Sequence, residues 1–104
     1  TIEGKVNSEK GAIIRNSKIR GPVAIAEGCV IENSYVGPYT SIYKNCSLNN
    51  VEIENSLLMQ NVKVHDVKVR LDSSLIGNDV EVSEVDERPK STSLFIGDNS
   101  IVKL

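Results

Sequence analysis

IRNSKI at residues 14–19, IENSYV at residues 31–36 and LNNVEI at residues 48–53 are copies of one segment, each 17 residues after the one before. An aliphatic residue begins and ends every copy, and an asparagine stands third in each. A unit this short cannot be a domain, so each copy buries its apolar side chains only against neighbouring copies. The repeat therefore predicts a solenoid.

Large aliphatic residues recur every five or six positions within and between these copies. Neither the 3.6-residue period of a helix nor the alternation of a simple strand fits this spacing. A step of this length suits one short strand and its turn, and three steps close a coil of triangular cross-section. Strands of successive coils would then pair in parallel, about 4.8 Å apart. The residues predicted to point inward are Ile25, Ile31, Val36, Ile42, Leu48, Ile53, Leu58 and Val64.

The corners of such a prism need special residues. Asn16, Asn33 and Asn50 are expected to stack at one corner, because asparagine tolerates left-handed backbone and its amide can bond along the stack. Small or medium side chains are expected where the three faces converge, four residues after a leading aliphatic residue: Cys29, Thr40, Cys46, Val62 and Val80.

The spacing predicts three parts: β-helix coils over residues 1–82, a polar loop over 83–93 and a last turn or cap strand over 94–104. A cap would protect the open end of the stack from pairing with other chains. The chain begins at Thr1 without methionine, and its first residues already follow the repeat. We therefore expect a fragment of a longer protein, whose preceding domain covers the N-terminal end.

Composition excludes several classes of function. Charged residues make up 25% of the 104 residues, the net charge is −2, and no basic run could collect the phosphates of a nucleic acid. No stretch approaches the ~20 apolar residues of a membrane span, and the first residues form neither a basic leader nor an apolar signal core. We expect a soluble, cytoplasmic protein that binds neither nucleic acid nor membrane.

Several segments carry a resemblance to a known family. The chain resembles the C-terminal domain of the long-form glucose-1-phosphate thymidylyltransferases, a hexapeptide-repeat branch of the sugar-1-phosphate nucleotidylyltransferases. The resemblance covers nearly the whole chain, and its most specific block is NSYVGPYTSI at residues 33–42. The other matching segments are IRGPV (19–23), EIENS (52–56), DSSLIG (72–77) and IGDNS (96–100).

This resemblance implies an all-β, left-handed parallel β-helix that serves assembly and regulation. It also implies a separate N-terminal Rossmann-like domain that joins dTTP to glucose 1-phosphate with Mg²⁺ and releases pyrophosphate. That chemistry needs a Gly-rich loop with a nearby cation, and none is found here, so no catalytic, cofactor-binding or metal-binding residue is assigned to this chain. The implied partners are the chain's own nucleotidyltransferase domain and further copies of itself, with a trimer favoured.

His65 is the weak alternative for a catalytic residue. It could serve as the general base of a hexapeptide acyltransferase that acetylates an amino-sugar phosphate. The family motif for that role, His-x-x-Tyr-x-Gly, is absent, because Asp66-Val67-Lys68-Val69 follow the histidine. A single histidine also excludes the three-histidine zinc site of hexapeptide carbonic anhydrases. We expect a solvent-facing histidine in a turn.

Cys29 and Cys46 are 17 residues apart, so they are expected at equivalent positions of adjacent coils. At one coil spacing their Cα atoms lie within the range that a disulfide can bridge. Two stacked free thiols and a disulfide both stay open, and a metal site lacks ligands.

Gly21-Pro22 and Gly37-Pro38 are interpreted as corner residues, since proline fixes φ and glycine permits unusual backbone. Tyr35, Tyr39 and Tyr43 are too large to share the interior, so at least one should face outward, either at a subunit contact or on plain surface. Carbohydrate or effector binding on a prism face is a third possibility for which no motif stands out.

Overall fold

The structure is a computed structural model that describes residues 1–83, 95–96 and 101–103. These residues contain no helix, and their strands are two or three residues long. The strands form three sheets, and every pairing between strands is parallel. The prediction of an all-β solenoid is therefore confirmed.

Three sheets, here called A, B and C, form the sides of the stack. Sheet A contains β1 (Ile2–Glu3), β4 (Lys18–Arg20), β7 (Tyr35–Val36), β10 (Glu52–Glu54) and β13 (Arg70–Asp72). Sheet B contains β2 (Val6–Ser8), β5 (Val23–Ile25), β8 (Thr40–Ile42), β11 (Leu57–Leu58), β14 (Leu75–Ile76) and β16 (Phe95–Ile96). Sheet C contains β3 (Ile13–Arg15), β6 (Val30–Glu32), β9 (Ser47–Asn49), β12 (Lys63–His65), β15 (Glu81–Ser83) and β17 (Ile101–Lys103).

Consecutive strands lie in successive sheets, so every three strands make one coil and the described chain makes about five coils. The pairing register follows the repeat: Ile14 pairs with Ile31, and Ile31 with Leu48. Beyond the fifth coil, β16 pairs with β14 and β17 with β15. These two strands extend sheets B and C within the segment predicted to close the stack. The predicted polar loop lies outside the described residues, apart from Ser83.

The inward aliphatic side chains of the three sheets form one continuous core along the stack. All eight residues predicted to point inward are at most 1% exposed, which confirms the five- and six-residue spacing. Both Val69 and Leu71 are buried, and Leu71 holds the strand position because it pairs with Ile53. Full burial of one such side chain contributes about 1.5–3 kcal/mol, so the filled interior stabilises the stack along its length.

Residues with left-handed backbone recur at all three corners. Asn16, Asn33 and Asn50 have φ of 48°, 50° and 58°, as predicted, and the Asn16 amide donates to the Asn33 side chain. The other two corners also contain residues with positive φ, but their residue types vary, because glycine, asparagine and aspartate all tolerate this conformation. Their members are Gly4, Tyr39, Asn55 and Ser73 at one corner, and Gly11, Gly28, Asn45, Asn61 and Asp79 at the other.

Candidate functional site

His65 lies at the end of β12, on the outer surface of sheet C, with the turn beginning at Asp66 rather than at the histidine. Its side chain is 39% exposed. The Nε2 atom lies 2.8 Å from Oε2 of Glu81, and Nδ1 lies 3.4 Å from Oδ2 of Asp66. The hydrogen bond to Glu81 raises the pKa of His65, and Asp66 adds to this effect.

This environment suits a cation better than a general base. A general base must be unprotonated at the working pH, whereas two carboxylates stabilise the protonated imidazole. The described residues contain no group of three or more His, Cys, Asp or Glu side chains placed to hold a metal ion. The His65 cluster is therefore an ion-pair network across two coils.

Cys29 and Cys46 are free thiols, buried at the corner where the sequence placed them. Each thiol donates to a backbone carbonyl, Cys29 to Tyr43 and Cys46 to Met59, both at 2.9 Å. Interaction with the neighbouring Cys46 side chain lowers the pKa of Cys29 to about 7. The same contact, followed by burial, raises the pKa of Cys46. Burial keeps both sulfurs away from solvent reagents.

The two Gly-Pro pairs lie at corners, where a side chain on the glycine would collide with the neighbouring coil. A Cβ on Gly21 would overlap the Lys5 backbone, and one on Gly37 would lie 2.8 Å from the Cβ of Glu54. These pairs therefore serve close packing between coils.

All three tyrosines face away from the interior, in agreement with the prediction that at least one would. Tyr39 is 71% exposed and Tyr43 is 44% exposed, on either side of strand β8 of sheet B. Tyr35 is half-buried in sheet A, where the guanidinium carbon of Arg70 lies 5.3 Å from its ring centroid.

Arg70 is the centre of a charged network that the sequence did not reveal. Its Nη2 atom lies 2.9 Å from Oε1 of Glu52, and Nη1 lies 3.2 Å from Oε1 of Glu54. The hydrogen bond to Glu52 raises the pKa of the guanidinium. These residues come from adjacent coils 16 to 18 positions apart, so only the pairing register brings them together.

A groove of about 780 Å³ follows the corner between sheets C and A. The asparagine stack forms one wall, and Tyr35, Lys18 and Glu52 line the other. Amides and an aromatic ring can hold a hydroxyl-rich ligand, so the groove is where the carbohydrate or effector hypothesis would place one. It brings together no acid–base pair or nucleophile with its base.

Three further cations among the described residues contact carboxylates at separate points of the stack. The ion pairs are Arg15 with Glu32 at 3.3 Å, Lys18 with Glu3 at 3.9 Å, and Lys44 with Glu27 at 3.6 Å. Phosphoryl transfer needs several cations or backbone amides directed at one phosphate. These three cations are each paired with a carboxylate and do not form such an arrangement. The described residues also contain no helix long and apolar enough to cross a membrane.

Comparison with known proteins gives one informative similarity. The chain is 39% identical over 97 residues to the glucose-1-phosphate thymidylyltransferase of Streptomyces griseus, a match to the C-terminal part of that protein. The match covers 93% of this chain and 27% of the relative, so the chain spans about a quarter of the relative's length. No family model matches, and no solved structure matches.

Proposed function

We propose, from this relation to a sugar nucleotidyltransferase, that the chain is the C-terminal assembly and regulatory domain of a glucose-1-phosphate thymidylyltransferase. In this proposal the prism is a left-handed β-helix, and the complete protein acts in the cytoplasm. A separate N-terminal domain binds Mg²⁺ and converts dTTP and glucose 1-phosphate into dTDP-glucose and pyrophosphate. The match over 93% of the chain carries the proposal.

The physical character of the prism supports a role without turnover. The interior is packed with aliphatic side chains, so ligands and partners can meet only its outer surfaces. Those surfaces carry ion pairs within sheets A and C rather than a phosphate-binding cluster. A rigid stack of this kind is suited to holding a catalytic domain and further copies of itself at fixed positions. The partners we propose are that domain and a homo-oligomer.

The alternative is an acyltransferase that uses His65. A histidine bonded to Glu81 resembles the pair in which a carboxylate orients a catalytic imidazole. The same carboxylate raises the pKa of the imidazole, which reduces the unprotonated fraction that a base needs. The thymidylyltransferase proposal is therefore favoured.

The test is an assay of the full-length protein encoded by the gene. We expect pyrophosphate release from dTTP and glucose 1-phosphate, Mg²⁺-dependent and unchanged by His65→Ala. The 104-residue chain alone should release none. Acetyl transfer from acetyl-CoA to an amino-sugar phosphate, lost in His65→Ala, would establish the alternative. Absence of pyrophosphate release from dTTP and glucose 1-phosphate would refute the proposal.

A further inference from the structure

Sheet B differs from the other two sheets in the residues that it turns outward. Its strands place one outward residue between two inward ones, as in β5, where Ala24 is exposed and Val23 and Ile25 are buried. The outward residues form one column in register through the five coils, and none is charged: Asn7, Ala24, Ser41, Leu57 and Leu75.

Sheets A and C carry charge on their outer surfaces at the same coils. Sheet A presents Lys18, Glu52 and Arg70, and sheet C presents Lys63 and Glu81. Interface cores are depleted of lysine and glutamate and enriched in aromatic residues and methionine. Sheet B fits that composition, because Tyr43 and Met59 follow its strands on one edge and Tyr39 precedes β8 on the other.

The side chains of this outward column change in size along the stack. Small residues, Ala24 and Ser41, occupy the second and third coils, beside two shallow depressions of about 320 and 460 Å³. Leucines occupy the fourth and fifth coils, and Leu75 is 41% exposed. The face therefore has a hollow at one end and a ridge at the other.

We propose that this face joins two copies of the chain in an antiparallel dimer, which rests on the proposed assembly function and specifies its partner. A two-fold axis parallel to the strands and midway between β8 and β11 sets Ser41 against Leu57 of the other copy. It also sets Ala24 against Leu75. Each ridge then fills the other copy's hollow, so the surface is self-complementary, as a two-fold interface requires.

The same axis matches the flanking edge. Tyr43 of one copy meets Met59 of the other, a pairing in which the thioether contacts an aromatic ring favourably. A parallel arrangement, including a three-fold trimer, would instead place leucine against leucine and leave the hollows facing each other. The change from small to large side chains along sheet B therefore favours the antiparallel dimer over the trimer expected from the resemblance.

The area of the outer face of sheet B limits the strength of the dimer contact. Six strands about 4.8 Å apart cover about 24 Å of the stack, and the molecule is 26 Å and 20 Å along its two shorter axes. The face thus offers on the order of 500 Å² to each partner, which is at the lower limit for a specific interface. We expect a micromolar dimer.

Sedimentation velocity of the chain over a range of concentrations tests the contact. Ser41→Arg should weaken dimerisation at least tenfold, because it places a charge at the centre of the apolar face. Ser47→Arg is the matched control, since Ser47 is also half-buried and outward, but on sheet C. Equal effects of both substitutions, a monomer at about 100 µM or a trimeric mass would overturn the proposal.

Disulfide cross-linking tests the direction of packing even where Ser41→Arg perturbs folding. Ala24→Cys mixed with a larger, tagged Leu75→Cys chain should cross-link efficiently, whereas each variant alone should not. The native Cys29 and Cys46 are buried and do not interfere. Self-linking of Leu75→Cys would overturn the antiparallel arrangement. Pyrophosphate release by the full-length protein does not depend on either result, so failure of the dimer and failure of the proposed function are distinguishable.

Discussion

Nε2 of His65 lies 2.8 Å from Oε2 of Glu81, although the two residues are 16 positions apart and belong to different coils. Strands β12 and β15 pair in parallel and hold the two side chains on the outer surface of sheet C. The contact raises the pKa of His65. A histidine with a raised pKa stabilises the fold below the unfolded pKa of about 6.5, and this stabilisation is lost as the pH rises through the folded value.

We predict that His65 titrates above 6.5 in the folded chain and that Glu81→Gln lowers its pKa. An NMR titration measures this directly, because the chain has one histidine. Both side chains are more than a third exposed, so the accompanying change in stability should stay below about 1 kcal/mol. Glu27→Gln, in the ion pair with Lys44, is the control. A His65 pKa at or below 6.5 would contradict the geometry.

Tyr39 should be a destabilising residue for the isolated chain. Its φ is 62°, at a corner where other coils place Gly4, Asn55 or Ser73. Left-handed backbone costs most residues about 1–2 kcal/mol and asparagine less. Tyr39→Asn should therefore raise the free energy of unfolding by about 1 kcal/mol in a urea titration.

The reciprocal change, Asn55→Tyr, should lower the free energy of unfolding by a similar amount, because the two residues occupy equivalent positions. Tyr39 N–H donates to the Pro22 carbonyl, and Asn55 N–H donates to the Pro38 carbonyl. A loss of stability in Tyr39→Asn would show that packing of the tyrosine ring outweighs its backbone strain.

Thr40 carries a hydroxyl that the fold does not use. The residue is 1% exposed, and its Oγ1 has no hydrogen-bond partner among the described residues. An unpaired buried hydroxyl costs about 1–3 kcal/mol. Thr40→Val, which keeps the shape, should stabilise the chain by about 1 kcal/mol in thermal or urea unfolding.

Val23 provides the opposite experiment, because it is buried and pairs with Thr40 in register. Val23→Thr should destabilise the chain by about 1–3 kcal/mol, since it buries a second hydroxyl. If Thr40→Val proves as destabilising as Val23→Thr, the hydroxyl of Thr40 must have a partner in solution.

Cys29 and Cys46 should resist thiol reagents while the chain is folded. They are 0% and 1% exposed, so reaction requires local opening of the stack. We expect an aromatic disulfide reagent at pH 8 to react with both thiols in urea and at least 100-fold more slowly without it. Asn49→Cys, at an exposed position of sheet C, should add one fast thiol. Fast reaction of a native cysteine would indicate a stack that opens at that corner.

The 17-residue repeat was enough to predict the coils and their interior, because an inward residue recurs at nearly constant spacing. It was not enough to predict which residues pair in the fourth and fifth coils. Ser41 pairs with Leu57 after 16 residues, and Leu57 with Leu75 after 18. A corner that is one residue longer or shorter still keeps the strands paired. No particular residue type marks such a corner in the sequence.

The corner residues and the surface contacts could likewise be predicted from the sequence only in part. Asn16, Asn33 and Asn50 could be found because one residue type repeats, whereas the other corners mix glycine, asparagine, aspartate, serine and tyrosine. The contact of His65 with Glu81 depends on the shifted register of the fourth and fifth coils. The uncharged column of sheet B becomes visible only after each strand's inward residues are known.

In the proposed function, this prism assembles a catalytic domain that lies outside it. The most direct measurement compares the full-length protein with a version that lacks these 104 residues, by turnover number for pyrophosphate release and by mass in sedimentation. We predict a turnover number per chain within about threefold, equivalent to less than about 1 kcal/mol in the barrier, and a smaller assembly after deletion. A folded, truncated protein that has lost turnover by orders of magnitude would show that the prism takes part in catalysis, which contradicts this role.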